Sequence, residues 1–152
     1  MSMPMLEQIL LHSIGAFGGT LGYAFLLNAP LCTVLPASLT GLLGYVLYEV
    51  MMNLMGQGMI FSYFAATVVI AVICEIAARI MRTPSTIFLL TAQVPLVPGY
   101  TFYCTMLAIV EYNGQAFASY GLEAVQIVAA IAVGAAVTST LFRALTVRRK
   151  TA

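Results

Sequence analysis

Charge is nearly missing from this chain. Only 7% of its 152 residues are Asp, Glu, Lys or Arg, against about 25% in an ordinary soluble domain. It has no aspartate, no tryptophan and a single histidine, His12. These shortages remove whole classes of chemistry. No Ser-His-Asp set can be assembled, no His/Cys/Asp run has metal-ligand spacing, and no glycine-rich phosphate loop is present. No enzyme activity, cofactor or metal is therefore expected, and energy from nucleotide hydrolysis would have to come from another polypeptide. Nothing points to nucleic acid. The three cysteines, Cys32, Cys74 and Cys104, are odd in number and widely spaced within apolar sequence, so they are expected as free core thiols and not as a disulfide framework.

What fills the chain is apolar. Hydrophobic residues make up 62% and the mean hydropathy is +1.02, the composition of an all-α integral membrane protein. A helix needs roughly 20 apolar residues to cross the bilayer core. Five segments meet that need, at about 5 to 27, 32 to 54, 59 to 81, 85 to 111 and 120 to 143, and residues 1 to 152 are expected as a single transmembrane domain. The first segment lacks a basic lead and a small-residue cleavage site, so it reads as a retained span. Short links join the spans. Asn28-Ala29-Pro30 forces the first two into an antiparallel pair, Pro36 suits the opening turn of the second, and Pro84-Ser85 marks a helix start.

The cations sit in two places: Arg79 and Arg82, then Arg143, Arg148, Arg149 and Lys150. Five spans put both groups on one side, and the positive-inside rule makes that side cytoplasmic. The amino terminus, the turn near Gly56 and the link near Asn113 are then outside. The basic tail is expected to set topology and to contact anionic lipid.

The fourth segment is the irregular one. It carries Gln93, Pro95, Pro98 and Gly99 in mid-span, and its 27 residues would reach about 40 Å as a straight helix, more than the hydrocarbon requires. Proline lacks an N–H, so Pro95 and Pro98 leave the carbonyls of Thr91 and Val94 without helical partners, and Gly99 admits angles that other residues resist. Broken backbone is tolerated in a membrane only against protein or a wet cavity, and transporters hold substrates at such breaks. A re-entrant hairpin would send the basic tail outside, so the expectation is a broken span that still crosses. Thr91, Gln93, Val94, Pro95, Pro98, Gly99 and Thr101 are the candidate substrate path, against the plainer reading of a kink healed by a neighbouring Ser or Thr.

Gly15, Gly18, Gly19 and Gly22 form an i, i+3, i+4, i+7 stripe on the first span, a surface for close helix packing either inside the bundle or onto a second subunit. Gly41 and Gly44, and Ala130, Gly134 and Thr138, offer similar faces. Glu75 and Arg79 have the favourable i, i+4 order for an ion pair, with a coupling carboxylate as the alternative. Glu49 and Gln126 are lesser candidates. Glu7, Glu111 and Glu123 are placed at the outer interface, and His12 reads as a polar residue near a helix end and not as a proton relay.

Two stretches, LGYAFLLNAP ending on Asn28 and Pro30, and RTPSTIFLLTAQVPLVPGYTFY with its PxxPG core, resemble the short membrane subunit of the bacterial threonine/serine exporter family. The resemblance covers essentially the whole chain in span number and length. It implies a carboxyl-terminal-type five-helix half of a ten-helix secondary exporter in the bacterial cytoplasmic (inner) membrane, paired with a longer subunit of the same family that supplies the other five helices. It also implies threonine, serine or a dicarboxylate such as succinate as cargo, and brings Asn28 into the substrate path. A homo-oligomer is the other possible assembly. A non-transporting adaptor that packs through its glycine faces is the alternative function.

Overall fold

A computed structural model describes residues 5–53 and 55–150 of the chain, with side chains throughout except at 5, 6, 8 and 145–150. Six α-helices and one 3-10 turn account for nearly all of it: α1 (Met5–Leu26), α2 (Leu31–Asn53), α3 (Met59–Met81), α4 (Ser85–Ala92), the turn Val94–Leu96, α5 (Gly99–Val110) and α6 (Gly114–Lys150). There is no strand among the described residues. Four helices are long and apolar enough to cross a membrane, and the count is five if the bent segment from Ser85 to Val110 is one span. Spans one to three match the segments read from the sequence to within a residue or so. The last helix begins six residues earlier than expected, at Gly114, because the Asn113 side chain accepts the Ala116 N–H at 3.1 Å and caps it there.

Helix ends are set by left-handed residues. Asn28, Arg82 and Tyr112 have φ of 52°, 53° and 53°, and the next N–H in each case reaches back to Ala24, Ala78 or Ala108. That is the Schellman closure, made here by Asn, Arg and Tyr instead of the usual glycine. Asn28, exposed at the end of α1, is thus a helix stop. Pro36 lies in the second turn of α2, one step deeper than the opening turn expected for it.

The bundle is built by small residues. α1 packs on α2, α2 on α3, α3 on α6 and α6 on α5, while α4 and the 3-10 turn tuck between α1, α2 and α3. Ile70 fills the place where a Cβ on Gly44 would stand, and Gly134 lies against the Phe64 carbonyl and Thr67 of α3. Ala130 and Thr138 are buried on the same side of α6. Close backbone approach of this kind is how helices associate where lipid removes the hydrophobic drive. Four buried hydroxyls are satisfied locally: Thr20, Ser38, Thr91 and Thr138 each donate to the carbonyl four residues earlier, at 2.6 to 2.9 Å, whereas the buried hydroxyl oxygens of Ser13, Thr67 and Thr83 find no partner.

Arg79 joins the far ends of α3 and α6. Its Nη2 donates to the Phe142 carbonyl at 3.2 Å and its guanidinium lies 5.0 Å from the Phe142 ring centre. The ion pair foreseen with Glu75 is not found among the described residues; the cation instead meets the Phe142 carbonyl of α6 and the aromatic face of the same residue. Residues 79 and 142 therefore lie toward the same end of the bundle, and Gly114 is about 42 Å away along α6. The side chains of Arg148, Arg149 and Lys150 are outside the described set. Of the three cysteines, all free, Cys74 is buried, Cys104 half-buried and Cys32 exposed, which departs from the expectation of three core thiols.

Candidate functional site

The break in the fourth segment is where irregular backbone meets the middle of the bundle. Phe88, Ala92 and Leu96, spaced by four, are at most 1% exposed and form one stripe that continues through the 3-10 turn into the core. At Val97 the chain turns extended, with φ −63° and ψ 128°, and α5 leaves at 59° to rest on α6. Two prolines explain the change of direction. With no N–H at 95 or 98, the helical ladder cannot continue, and the chain tightens into i→i+3 bonds: Leu96 N–H to the Gln93 carbonyl at 2.9 Å and Val97 N–H to the Val94 carbonyl at 3.2 Å.

This corrects the expectation for two carbonyls. Val94 is not orphaned, since Val97 serves it, and the Thr91 carbonyl faces the N–H of Gln93. The displaced partner is one residue on. Leu96 N–H, which would bond Ala92 in a continuous helix, bonds Gln93 instead, and the Ala92 oxygen points at Gly41 of α2, 3.0 Å from where a Cβ would sit.

The predicted path residues do not all converge. Thr91 is buried and its hydroxyl is committed to the Ile87 carbonyl at 2.8 Å. Thr101 is buried and accepts the Thr105 hydroxyl on its carbonyl at 2.7 Å. Pro98 is buried as the residue before α5. Gly99 opens α5 with no positive φ and with open space where a Cβ would be, so no glycine is required there by the backbone. Asn28 stands apart in the α1–α2 link. Gln93 is the group of interest: its Nε2 is buried with no hydrogen-bond partner, beside the break.

A polar cluster flanks the same turn. An open groove of about 450 Å³ is lined by Leu11, His12, Gly15 and Ala16 of α1, Tyr45 of α2 and Pro95 of the turn. Tyr45 donates its hydroxyl proton to Glu49 Oε1 at 2.7 Å, Asn53 Nδ2 donates to Oε2, and His12 Nδ1 stands 4.0 Å from Oε1. The sequence reading took His12 as a polar residue near a helix end and Glu49 as a lesser candidate, did not join them, and passed over Tyr45 and Asn53. The usable signal was the spacing 45, 49, 53, which puts all three on one helical face. A larger groove of about 790 Å³ between α3 and α6 is apolar apart from Gln126 and has no converging polar groups.

The glycine stripe on α1 resolves into an open surface. A Cβ at Gly15, Gly18, Gly19 or Gly22 would meet nothing, whereas Gly41, Gly44 and Gly134 are packed inside the bundle. Among the described residues no group of three His, Cys, Asp or Glu could hold a metal ion.

Comparison with known proteins gives one result with this geometry in place. A family model described as Threonine/Serine exporter, ThrE, matches residues 12–141, a stretch that includes His12, Glu49 and the whole break. No curated protein and no solved structure matches the chain.

Proposed function

The chain belongs to the threonine/serine exporter family, whose model spans most of its length, and from that premise we propose that it is one subunit of a two-component secondary exporter of small polar metabolites. Threonine and serine, or a dicarboxylate such as succinate, are its cargo, and the fourth-span break contributes to the path. The single observation that carries this is the break itself: α4 and its 3-10 turn enter the core while α5 departs at 59°, leaving the Gln93 amide buried and unpartnered where they separate. Membranes tolerate such backbone where protein covers it or where it lines a route, and transporters use such breaks for the second purpose.

Two further observations support the assembly and the topology. The uncovered glycine stripe on α1 is a surface for a second membrane chain, and a longer subunit of the same family is the partner that would complete ten helices. Arg79 and Phe142 meet toward one end of the bundle and Gly114 lies toward the other, which supports the reading that the segment from Ser85 to Val110 crosses despite its bend. With Arg79, Arg82 and Arg143 at the cytoplasmic side, His12 and Glu49 lie toward the outside of the inner membrane.

The test is efflux from cells loaded with threonine, serine or succinate, with and without this chain. Loss of export on deletion, restored only when both the chain and its partner are present, is expected. Unchanged export of all three would reject transport and leave the adaptor reading, which the open stripe equally favours.

A further inference from the structure

The chain divides at Val97 into two bodies. α4 and the 3-10 turn are wedged among α1, α2 and α3, and their last anchored residue, Leu96, is 1% exposed. Its neighbour Val97 is 56% exposed, and α5 beyond it packs on α6. Among the described residues, the one substantial seam between the α5–α6 pair and the rest is the face that α6 lays on α3. The pair itself is firmly closed. The Asn113 N–H bonds the Ala108 carbonyl at 2.9 Å across the link, the Asn113 side chain caps α6, and a Cβ on Gly121 would touch Thr105 at 3.7 Å. α6 carries no proline to kink it, so the hairpin is able to move as one stiff unit.

The covalent joint between the bodies is slight. Pro98 has φ −76° and ψ 61°, the angles of an inverse γ-turn, and the Gly99 N–H closes it on the Val97 carbonyl at 2.7 Å. No side chain caps α5, and open space surrounds the Gly99 Cα, so these residues can absorb a change of backbone angle without disturbing either helix. The seam is also suited to small displacements. Gly134 lies against the Phe64 carbonyl and Thr67, Ala130 and Thr138 are buried on the same side, and residues of this size interlock little. One group there is unsatisfied: Thr67 is 0% exposed, yet its hydroxyl, unlike those of Thr91 and Thr138, has no partner. A buried hydroxyl left unpaired costs free energy, so a second position of α6 that brings an acceptor to Thr67 is stabilised by it.

We propose that the α5–α6 hairpin rocks as a rigid unit against α1 to α4, pivoting on the α3–α6 seam at Gly134 and flexing at the Pro98 γ-turn. The joint begins four residues after Gln93, so the motion covers and uncovers the break. From Gly134 to Gly114 the lever is about 30 Å long, and a small roll at the seam becomes a displacement of roughly 5 Å at Gly114. Such a motion belongs to the fold and holds whatever the cargo.

Electron–electron dipolar distances test this in the full-length chain in lipid nanodiscs, with Cys32, Cys74 and Cys104 replaced by alanine. Nitroxides are attached at Gly22→Cys on α1 and Gly114→Cys on α6, where a Cβ meets nothing, and the pair is measured without and with millimolar L-threonine. Two distances roughly 5 Å apart, or one that moves by that much with threonine, are expected. The pair Gly22→Cys and Gly58→Cys, both outside the hairpin, should give one fixed distance. A Cβ at Gly134 would stand 3.2 Å from the Thr67 Cβ, within a few tenths of an ångström of disulfide reach. Thr67→Cys with Gly134→Cys, oxidised before labelling, should therefore leave a single distance, and Gly134→Ala, which tightens the same seam, should narrow the spread. One unchanged distance between Gly22 and Gly114 in both conditions overturns the proposal. So does an equal spread in the control pair, or two distances that persist in the cross-linked chain. Rocking observed in a chain on which cellular efflux does not depend leaves the motion standing and rejects the exporter reading alone.

Discussion

Gly41 of α2 stands so close to the Ala92 carbonyl of the broken segment that a Cβ would come within 3.0 Å of that oxygen and 2.9 Å of the Thr20 hydroxyl. Three elements therefore meet on one residue without a side chain, and the carbonyl released by the prolines is pressed against backbone and not lipid. Gly41→Ala must push either Thr20 or the turn aside. Overpacking of this kind costs about 1–3 kcal/mol, so the variant is expected to lower the unfolding midpoint in detergent while keeping its helix content. Gly58→Ala, where nothing stands near, should not.

The stripe on α1 gives the opposite result. A Cβ at Gly18 or Gly22 would meet nothing among the described residues, so Gly18→Leu should leave the stability of the isolated subunit within about 0.5 kcal/mol of the parent. If this face docks the longer subunit, the same substitution should abolish co-purification of the pair. Retained co-purification would move the interface elsewhere.

Much of this was legible in the sequence, for physical reasons that differ by element. Runs of about 23 apolar residues mark α1 to α3 because lipid imposes one length on a span. Pro95 and Pro98 mark the break because a missing N–H has a local effect. What was hidden depends on tertiary choice. Arg79 had two partners in reach, Glu75 on its own helix and the α6 end, and only the packing of α3 on α6 selects Phe142. Periodicity could not tell Gly41, which is packed, from Gly18, which is bare. Sequence also overstated Gly99, whose backbone is ordinary.

That last point separates two substitutions in the break. Pro98→Ala restores the N–H that a continuous helix would direct to the Val94 carbonyl and so removes one of the two blocks that hold the bend, and efflux should fall with membrane levels of the protein unchanged. Gly99→Leu enters open space at the start of α5 and should export nearly normally. Equal loss in both would show that the bend is not what matters.

Arg79→Gln removes the guanidinium from the Phe142 ring, a contact of about 0.5–1 kcal/mol at an exposed site. The expected result is a small drop in thermal stability and greater protease access at the end of α6. Glu75→Gln should be silent in both measurements, because no described ion pair depends on it.

Gln93 offers the sharpest division between packing and transport. Its Nε2 is buried with no partner, so the folded chain carries the desolvation cost of an amide nitrogen that the bundle leaves unsatisfied. If the residue were structural, replacement by an apolar group of similar size would be harmful only through shape. Removing an unsatisfied polar group is instead neutral or stabilising, so Gln93→Leu should hold or raise the unfolding midpoint. If the amide waits for a passing metabolite, the same variant should lose efflux by about tenfold or more, the value of a single good hydrogen bond to a charged group. Stability retained with export lost places Gln93 on the path, and stability lost with export retained per folded molecule returns it to the core.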